Sequence, residues 1–215
     1  MPAPATPSRA PKGLSRDLIV DAAIALIERD GAPALTMRRL GGELGVEAMS
    51  LYNHVANREE LLTGIGDRLL EPLGALSLDA PWRTCGQRFA TTLRAVALQR
   101  PATFKVVGLQ PLDTAASLLA VERLLAAFVA QGFSAADALA VYRALVSYAR
   151  GYALAETTGF TVDAAAPDGL ARLRALDAED FPILHGRAEQ LAALDADRAF
   201  SRGLSALLDG FDGPR

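Results

Sequence analysis

Apolar residues recur every three to four positions along most of the chain, a spacing that predicts amphipathic α-helices. The first helix is predicted to follow Ser15, a good N-cap residue, and to end at Gly31. Alanine and leucine dominate the composition, while aromatic residues and β-branched runs are scarce. The pattern therefore predicts an all-α protein.

Two short helical patterns flank a tight break at residues 44–46, where the sequence reads Leu-Gly-Val. Thr36 is a good N-cap for the first of them, and Leu35 and Leu40 occupy the two positions of a hydrophobic staple. The glycine of the break supplies the turn that a helix-turn-helix often uses. The second helix is predicted over residues 47–53.

A further helical pattern begins at Asn57, which forms a capping-box-like pair with Glu60. This helix is predicted to continue to about Leu70 and to end at Pro72, because proline disrupts a helix interior. Residues 74–81 look like a loop, and we place the domain boundary there. The predicted parts are a flexible tail over residues 1–13, a helix-turn-helix domain over residues 14–72 and a larger helical domain over residues 82–211.

From residue 82 onward the pattern predicts helix after helix. One helix is predicted to end before Pro101, one to be closed by Gly132, and one to be capped by Ser134. Residues 157–169 are expected to form a looser connection, and residues 170–176 a short helix. A further helix is expected to start at Pro182, and the last helix is expected over residues 196–208. Two predicted apolar stripes consist of Leu118, Val121, Leu125, Phe128 and Val129, and of Leu139, Tyr142, Leu145, Val146, Ala149 and Ala153.

The second helix of the helix-turn-helix pattern has one apolar side, which Val46, Leu51 and Val55 can anchor. A short, exposed helix contributes little to a core, but it suits the major groove of DNA, which is wide enough to admit one helix. On this pattern alone, an ordinary helical hairpin without a DNA-binding role stays the alternative. The outward residues are Glu47, Ala48, Met49, Ser50 and Asn53.

Composition and charge narrow the classes of function. No apolar run approaches the length of a transmembrane helix, and no positively charged start precedes an apolar signal core. The single Cys85 suits a reducing compartment, so a cytoplasmic protein with no membrane partner is predicted. The formal net charge of −3 neither supports nor excludes DNA binding. Phosphate contacts need only a local basic surface, such as that of Arg38, Arg39 and Arg58.

The helix-turn-helix segment resembles the DNA-binding domain of the TetR family of bacterial transcriptional regulators. The most specific part of the match is the block Leu51 to Val55, which reads Leu-Tyr-Asn-His-Val. Residues 151–154 and 200–210 are similar to the C-terminal domain of the tetracycline-repressor branch. The other matching positions are Leu35-Thr36, Leu40, Leu44-Gly45-Val46, Asn57-Arg58 and Glu60-Leu61-Leu62.

The resemblance implies that Arg38 reads a base, since a bidentate arginine is the commonest specific partner of guanine. Ala48, Met49 and Ser50 match other base-contacting positions. Ala48 cannot form the paired hydrogen bonds of a glutamine, so the operator is expected to differ from that of the tetracycline repressors. A solvated surface role for Arg38 stays open, as does a partly buried role for Tyr52. Positions that match phosphate contacts are Thr36, Tyr52, His54 and Arg58.

The resemblance further implies a homodimer that binds a palindromic double-stranded DNA operator. In the tetracycline-repressor branch, two late helices of each protomer form a four-helix interface. We expect the last helix to take part in it here. The residues assigned to the interface are Phe200, Leu204, Leu207 and Leu208.

A cavity for an unknown small-molecule effector is predicted in the larger domain. For each candidate the alternative is that it fills the core, and Glu156 is either an interior acid or the start of a loop. The glutamate that assists metal-bound tetracycline in the related branch falls on Ala155, so magnesium-tetracycline is not expected and no metal or cofactor is predicted. The candidate lining residues are Phe89, Leu93, Phe104, Phe128, Tyr142, Val146 and Arg150.

These features predict a ligand-responsive DNA-binding transcriptional regulator, a repressor that is released from its operator by a small molecule. The alternative is a helical small-molecule-binding protein that no longer reads DNA, which the acidic charge balance motivates. An enzyme is not predicted, because the sequence has no serine nucleophile elbow, phosphate-binding loop or metal-spaced cluster of histidine and cysteine.

Overall fold

A computed structural model describes residues 13–111, 113–159, 161–162, 164, 166–211 and 213. Within these ranges the regular elements are helices, which confirms the predicted all-α fold. Residues 1–12, which make up most of the predicted tail, lie outside the described residues. No helix of the described part is both long and apolar enough to cross a bilayer.

The chain divides into two compact units, Met1–Arg68 and Leu69–Arg215. The division falls inside the fourth helix, earlier than the loop in which the sequence analysis placed the domain boundary. The helices up to that point are α1 (Arg16–Asp30), α2 (Met37–Leu44), α3 (Ala48–Leu51) and α4 (Arg58–Gly74), with a 3-10 turn at Ala32–Ala34.

The first unit has a small aliphatic core that local signals organise. The Ser15 side chain accepts a hydrogen bond from the Leu18 amide and caps α1. Both members of the predicted staple, Leu35 and Leu40, are buried. The other buried core residues of this unit are Ile19, Val20, Ala23, Ile24, Leu26, Ile27, Ala34, Leu51, Val55, Leu61 and Ile65.

Helix α4 continues past Pro72, so the prediction that proline ends this helix is wrong. Pro72 lies in the last turn, where its missing N–H removes a single intrahelical hydrogen bond. Leu69 and Leu73 flank it and are both nearly buried, so packing holds the last turn in place.

The second unit consists of the end of α4 and seven further helices within the described residues. Helix α6 was not predicted, and it begins at Pro101. The sequence analysis used this proline as the end of the preceding helix, but proline is also favoured at the first position of a helix. The helix expected from Pro182 is instead a series of turns over residues 182–187. The seven helices are α5 (Trp82–Gln99), α6 (Pro101–Val107), α7 (Ala115–Val129), α8 (Ala135–Thr158), α9 (Gly169–Arg174), α10 (Ala188–Ala192) and α11 (Ala196–Asp209).

The buried faces of α7 and α8 differ in part from the predicted stripes. Leu118 and Val129 of α7 are 48% and 45% exposed, and Leu139 of α8 is 44% exposed. The buried side of α7 includes Ala120 and Leu124, which were not part of the predicted stripe. Helices rich in alanine and leucine have more than one apolar side, so helical spacing alone does not select the buried one.

Three helices of the second unit are joined by an ion-pair cluster around Arg94, which is only 7% exposed. Its guanidinium donates to the Glu156 carboxylate at 2.5 and 2.7 Å and to the Asp197 carboxylate at 2.7 Å. It also lies 4.8 Å from the centre of the Phe200 ring. These contacts raise the pKa of Arg94, and its hydrogen bonds to the Glu156 carboxylate are the largest cause. Glu156 is therefore an interior acid on α8.

Candidate DNA-binding surface and ligand cavity

The helix-turn-helix is held by caps that lie close in sequence. The Thr36 hydroxyl accepts a hydrogen bond from the Arg39 amide at 3.2 Å, which fixes the start of α2. Gly45 ends this helix in the left-handed region, with φ 67° and ψ 29°. The Val46 amide then donates to the Gly41 carbonyl at 2.9 Å, as in a Schellman motif. These bonds set the angle at which the chain enters α3.

Helices α2 and α3 approach so closely at Gly41 that a side chain does not fit. A Cβ atom on Gly41 would lie 2.8 Å from the Val46 carbonyl oxygen and 3.2 Å from the Ala48 amide nitrogen. Both neighbours are backbone atoms, so the start of α3 would have to shift. The neighbouring Gly42 has open space around its Cβ position.

Gly41→Ala is therefore expected to lower the free energy of unfolding of the first unit by about 1–3 kcal/mol through overpacking. Gly42→Ala is the matched control, and it is expected to raise stability by about 0.5–1 kcal/mol through helix propensity. Urea denaturation followed by circular dichroism measures both changes. Equal effects of the two substitutions would contradict the close approach of α2 and α3.

Helix α3 is shorter than predicted, because residues 52–54 form tighter turns in place of α-helix. Amides of these residues donate three positions back, from Tyr52 to Met49 at 3.2 Å and from His54 to Leu51 at 3.0 Å. Leu51 is fully buried, whereas Met49 is 73% exposed and Tyr52 is 43% exposed. Ala48 and Ser50 are half-buried. The residues predicted to face DNA thus form an accessible surface on one side of the anchoring leucine.

Arg38 and Arg39 are adjacent but differ in their partners. Arg39 forms an ion pair with Asp30 at 2.5 Å, and Asp30 also pairs with Arg29. Arg29 in turn bridges to Glu43 at 2.6 Å, and it holds the pKa values of both carboxyls below their usual range. Arg38 is exposed and has no ion pair within the described residues. Arg38 is therefore the arginine of this pair whose guanidinium is available to a base.

The start of α4 confirms the predicted capping pair, with a shift of one residue. The Asn57 side chain accepts from the Glu60 amide at 2.8 Å, and the Glu60 carboxylate accepts from the Ala56 amide at 2.6 Å. Arg58, the first residue of the helix, is exposed, and His54 is half-buried. His54 lies in the short stretch that joins α3 to α4, and Arg58 directly follows this stretch.

A small cavity lies inside the second unit. Its volume is about 10 Å³, the space of roughly one water molecule. The structure brings five of the seven predicted residues around it, namely Phe89, Leu93, Tyr142, Val146 and Arg150. Sequence reasoning missed Leu70, Leu73, Ser117, Ala120 and Val121, which also line it.

The other two predicted residues, Phe104 and Phe128, do not line this cavity. Both are fully buried. Phe128 packs edge-on against Trp82, with ring centres 6.3 Å apart, and Phe104 belongs to the unpredicted helix α6. Both therefore form part of the core, and their assignment to a ligand site stays a prediction.

The polar groups of the cavity are few. Arg150 is the one charged side chain among the described residues that line it, and burial lowers the pKa of this guanidinium. Burial also raises the pKa of the Tyr142 phenol, whose ring lies edge-on to Phe89 at 6.0 Å between centres. Among the described residues, no group of three or more histidine, cysteine, aspartate or glutamate side chains could hold a metal ion.

Three of the four residues assigned to the dimer interface are buried inside the protomer, so that assignment needs correction. Phe200, Leu204 and Leu208 are 1%, 3% and 0% exposed. They form the inner face of α11, where the Tyr148 hydroxyl donates to the Phe200 carbonyl at 2.9 Å. Of the four assigned residues, Leu207 alone has a partly solvent-exposed side chain.

Both parts of the chain match family models. Residues 19–65 match the model for bacterial regulatory proteins of the tetR family, and residues 77–213 match the tetracyclin repressor-like C-terminal domain. A relative described as an HTH-type transcriptional regulator, from Saccharopolyspora erythraea, is 34% identical over 210 residues, covering 96% of this chain and 88% of the relative.

Two further proteins are similar along nearly the whole chain. The class D tetracycline repressor protein of Escherichia coli is 30% identical over 207 residues, covering 93% of this chain and 89% of the repressor. The Streptomyces coelicolor TetR family protein ActR, solved in complex with (S)-DNPA, is 28% identical with a TM-score of 0.71, covering 94% of this chain and 98% of ActR.

The family and the relatives that match this chain are regulators of transcription and not enzymes. They do not favour the alternative of a binding protein that no longer reads DNA. The chain belongs to the TetR family of bacterial transcriptional regulators, and it is a DNA-binding regulator that responds to a ligand.

Proposed function

We propose that the protein is a cytoplasmic repressor that binds a palindromic operator as a homodimer and leaves it when a small molecule fills the cavity of the second unit. The observation that carries this proposal is the surface of α2 and α3. An exposed Arg38, which has no ion pair among the described residues, and an exposed Met49 lie beside a turn that is shaped by Gly41 and Gly45. Such a surface suits base recognition in a major groove.

The residues of this surface divide into two roles. Arg38 supplies a bidentate donor to guanine, while Met49 and Ala48 pack against thymine methyl groups. Ser50 reaches a base edge without discriminating strongly between bases. Phosphate contacts hold the protein in register without reading sequence. The residues assigned to phosphates are Thr36, Tyr52, His54 and Arg58.

We assign the dimer interface to the outer faces of α8 and α11, since the inner face of α11 is buried in the protomer. Leu139 of α8 is 44% exposed, and Ser205 and Ala206 of α11 are exposed beside Leu207. Small residues permit a close approach of helices from two copies. A two-fold dimer would place its two α3 helices in successive major grooves, roughly 34–36 Å apart.

The ligand response is proposed to act through α4. Leu70 and Leu73 of this helix line the cavity, and the same helix begins at Arg58 in the DNA-binding part. Ligand pockets usually measure about 300 Å³ or more, so an effector must separate the lining helices from their present closed packing. The ligand would then bind more tightly to a conformation in which α4 is displaced, whereas the operator would bind more tightly to the conformation without the ligand. The complex of ActR with (S)-DNPA supports a ligand site in this fold.

Selection of bound duplexes from a random-sequence library at moderate salt tests the proposal. We expect an enriched palindrome whose half-sites are about 10 base pairs apart, or a multiple of that spacing. A library carried through without protein is the control for amplification bias. Enrichment of single half-sites would contradict the dimer, and no enrichment by a protein that is dimeric in solution would contradict the repressor.

A further inference from the structure

The cavity of the second unit is lined by one half-buried charged side chain that has no counter-charge among the described residues. Of its ten lining residues, eight are apolar or aromatic, Ser117 is a neutral hydroxyl, and Arg150 is the remaining one. The Ser117 hydroxyl already hydrogen-bonds to Thr114 at the start of α7. The guanidinium of Arg150 therefore faces a wall that offers it almost no acceptor.

The Arg150 guanidinium is partly unsatisfied within the protein. Its Nε atom is buried and has no hydrogen-bond partner, and the residue forms no ion pair within the described part of the chain. The one charge-related influence on it besides burial comes from Tyr142, and burial outweighs that influence and lowers the pKa of Arg150. A buried charge without a partner is destabilising.

Arg94 shows how this fold satisfies a buried arginine when the role is structural. Its guanidinium is less exposed than that of Arg150, yet Glu156 and Asp197 both accept hydrogen bonds from it. Arg94 therefore needs no outside partner. Arg150 sits on the same helix as Glu156, six positions earlier, but no described carboxylate pairs with it.

We propose that the effector is an aromatic organic anion whose carboxylate pairs with Arg150. This inference rests on the proposed ligand role of the cavity. The Tyr142 hydroxyl is a second donor for the carboxylate, and the ring body packs against Phe89, Leu93 and Val146. The edge-on arrangement of Phe89 and Tyr142 suits a planar aromatic guest, because rings prefer offset or edge-to-face contacts.

Two probes of equal shape test the charge directly, namely anthracene-2-carboxylate and anthracene-2-carboxamide. Their intrinsic fluorescence reports binding without DNA. We expect the unmodified protein to bind the carboxylate at least about tenfold more tightly than the carboxamide, because a charge-assisted hydrogen bond contributes that much. In Arg150→Met the preference should disappear, while the affinity for the carboxamide changes by less than about twofold.

Arg100→Met is the matched control, since Arg100 is exposed at the end of α5 and outside the cavity lining. It should keep the preference for the carboxylate. Arg150→Lys should keep part of it, because the charge stays while the bidentate geometry is lost. Equal affinities of the two probes, an unchanged preference in Arg150→Met, or no binding of the carboxylate would each overturn the inference. The selection of operator DNA uses the protein without any probe. A failure of the probe experiment therefore does not count against the proposal that the protein is a repressor.

Discussion

Replacing Arg38 with alanine is expected to weaken binding to the selected palindrome by about 30-fold to about 10⁴-fold. A bidentate contact between arginine and guanine contributes about 1–3 kcal/mol, and a homodimer would lose two of them. Binding to a scrambled duplex should change far less, because Arg38 is assigned to a base and not to a phosphate. Fluorescence anisotropy with both duplexes at one salt concentration measures the ratio.

Arg39→Ala is the control for this experiment. The two arginines are neighbours on α2, but Arg39 is held by Asp30 within the protein. Losing an exposed ion pair costs about 0–1 kcal/mol, so Arg39→Ala should reduce operator affinity by less than about tenfold and leave the ratio between the duplexes unchanged. An Arg38→Ala protein that keeps its preference for the palindrome would refute the assignment of Arg38 to a base.

Glu156→Gln is expected to lower the melting temperature by about 6–12 °C. Arg94 is buried, and Glu156 is its main partner, with a side chain only 19% exposed. Removing one member of a buried ion pair costs about 3 kcal/mol or more, and each kcal/mol shifts the melting temperature of a protein of this size by about 2–4 °C. Circular dichroism during heating measures the change.

Asp197→Asn provides the comparison on the other side of the same guanidinium. The Asp197 side chain is 86% exposed, so water already weakens its ion pair with Arg94. We therefore expect Asp197→Asn to lower the melting temperature by less than about 4 °C. The double variant Arg94→Met with Glu156→Leu should recover most of the lost stability, since apolar residues can replace a buried pair. Equal shifts for Glu156→Gln and Asp197→Asn would show that burial does not strengthen the cluster.

Sequence alone was sufficient for the helix-turn-helix because its determinants act over a few residues. The Thr36 cap, the Leu35–Leu40 staple and the Asn57–Glu60 pair each join groups three to five positions apart. The left-handed turn at Gly45 likewise depends on the conformational freedom of one residue. The exposed residues of α3 follow from this local geometry, so the candidate DNA-binding surface could be predicted before the structure.

Only the tertiary structure decided which side of each alanine- and leucine-rich helix is buried, and with it the cavity. Phe104 and Phe128 became core, whereas Leu70 and Leu73 became cavity lining. The partners of buried charges are equally non-local, since Arg94 meets Glu156 across 62 positions of sequence while Arg150 meets no carboxylate among the described residues. Helical periodicity specifies an apolar face only when one face is apolar, and the pairing of distant side chains depends on packing that no local pattern encodes.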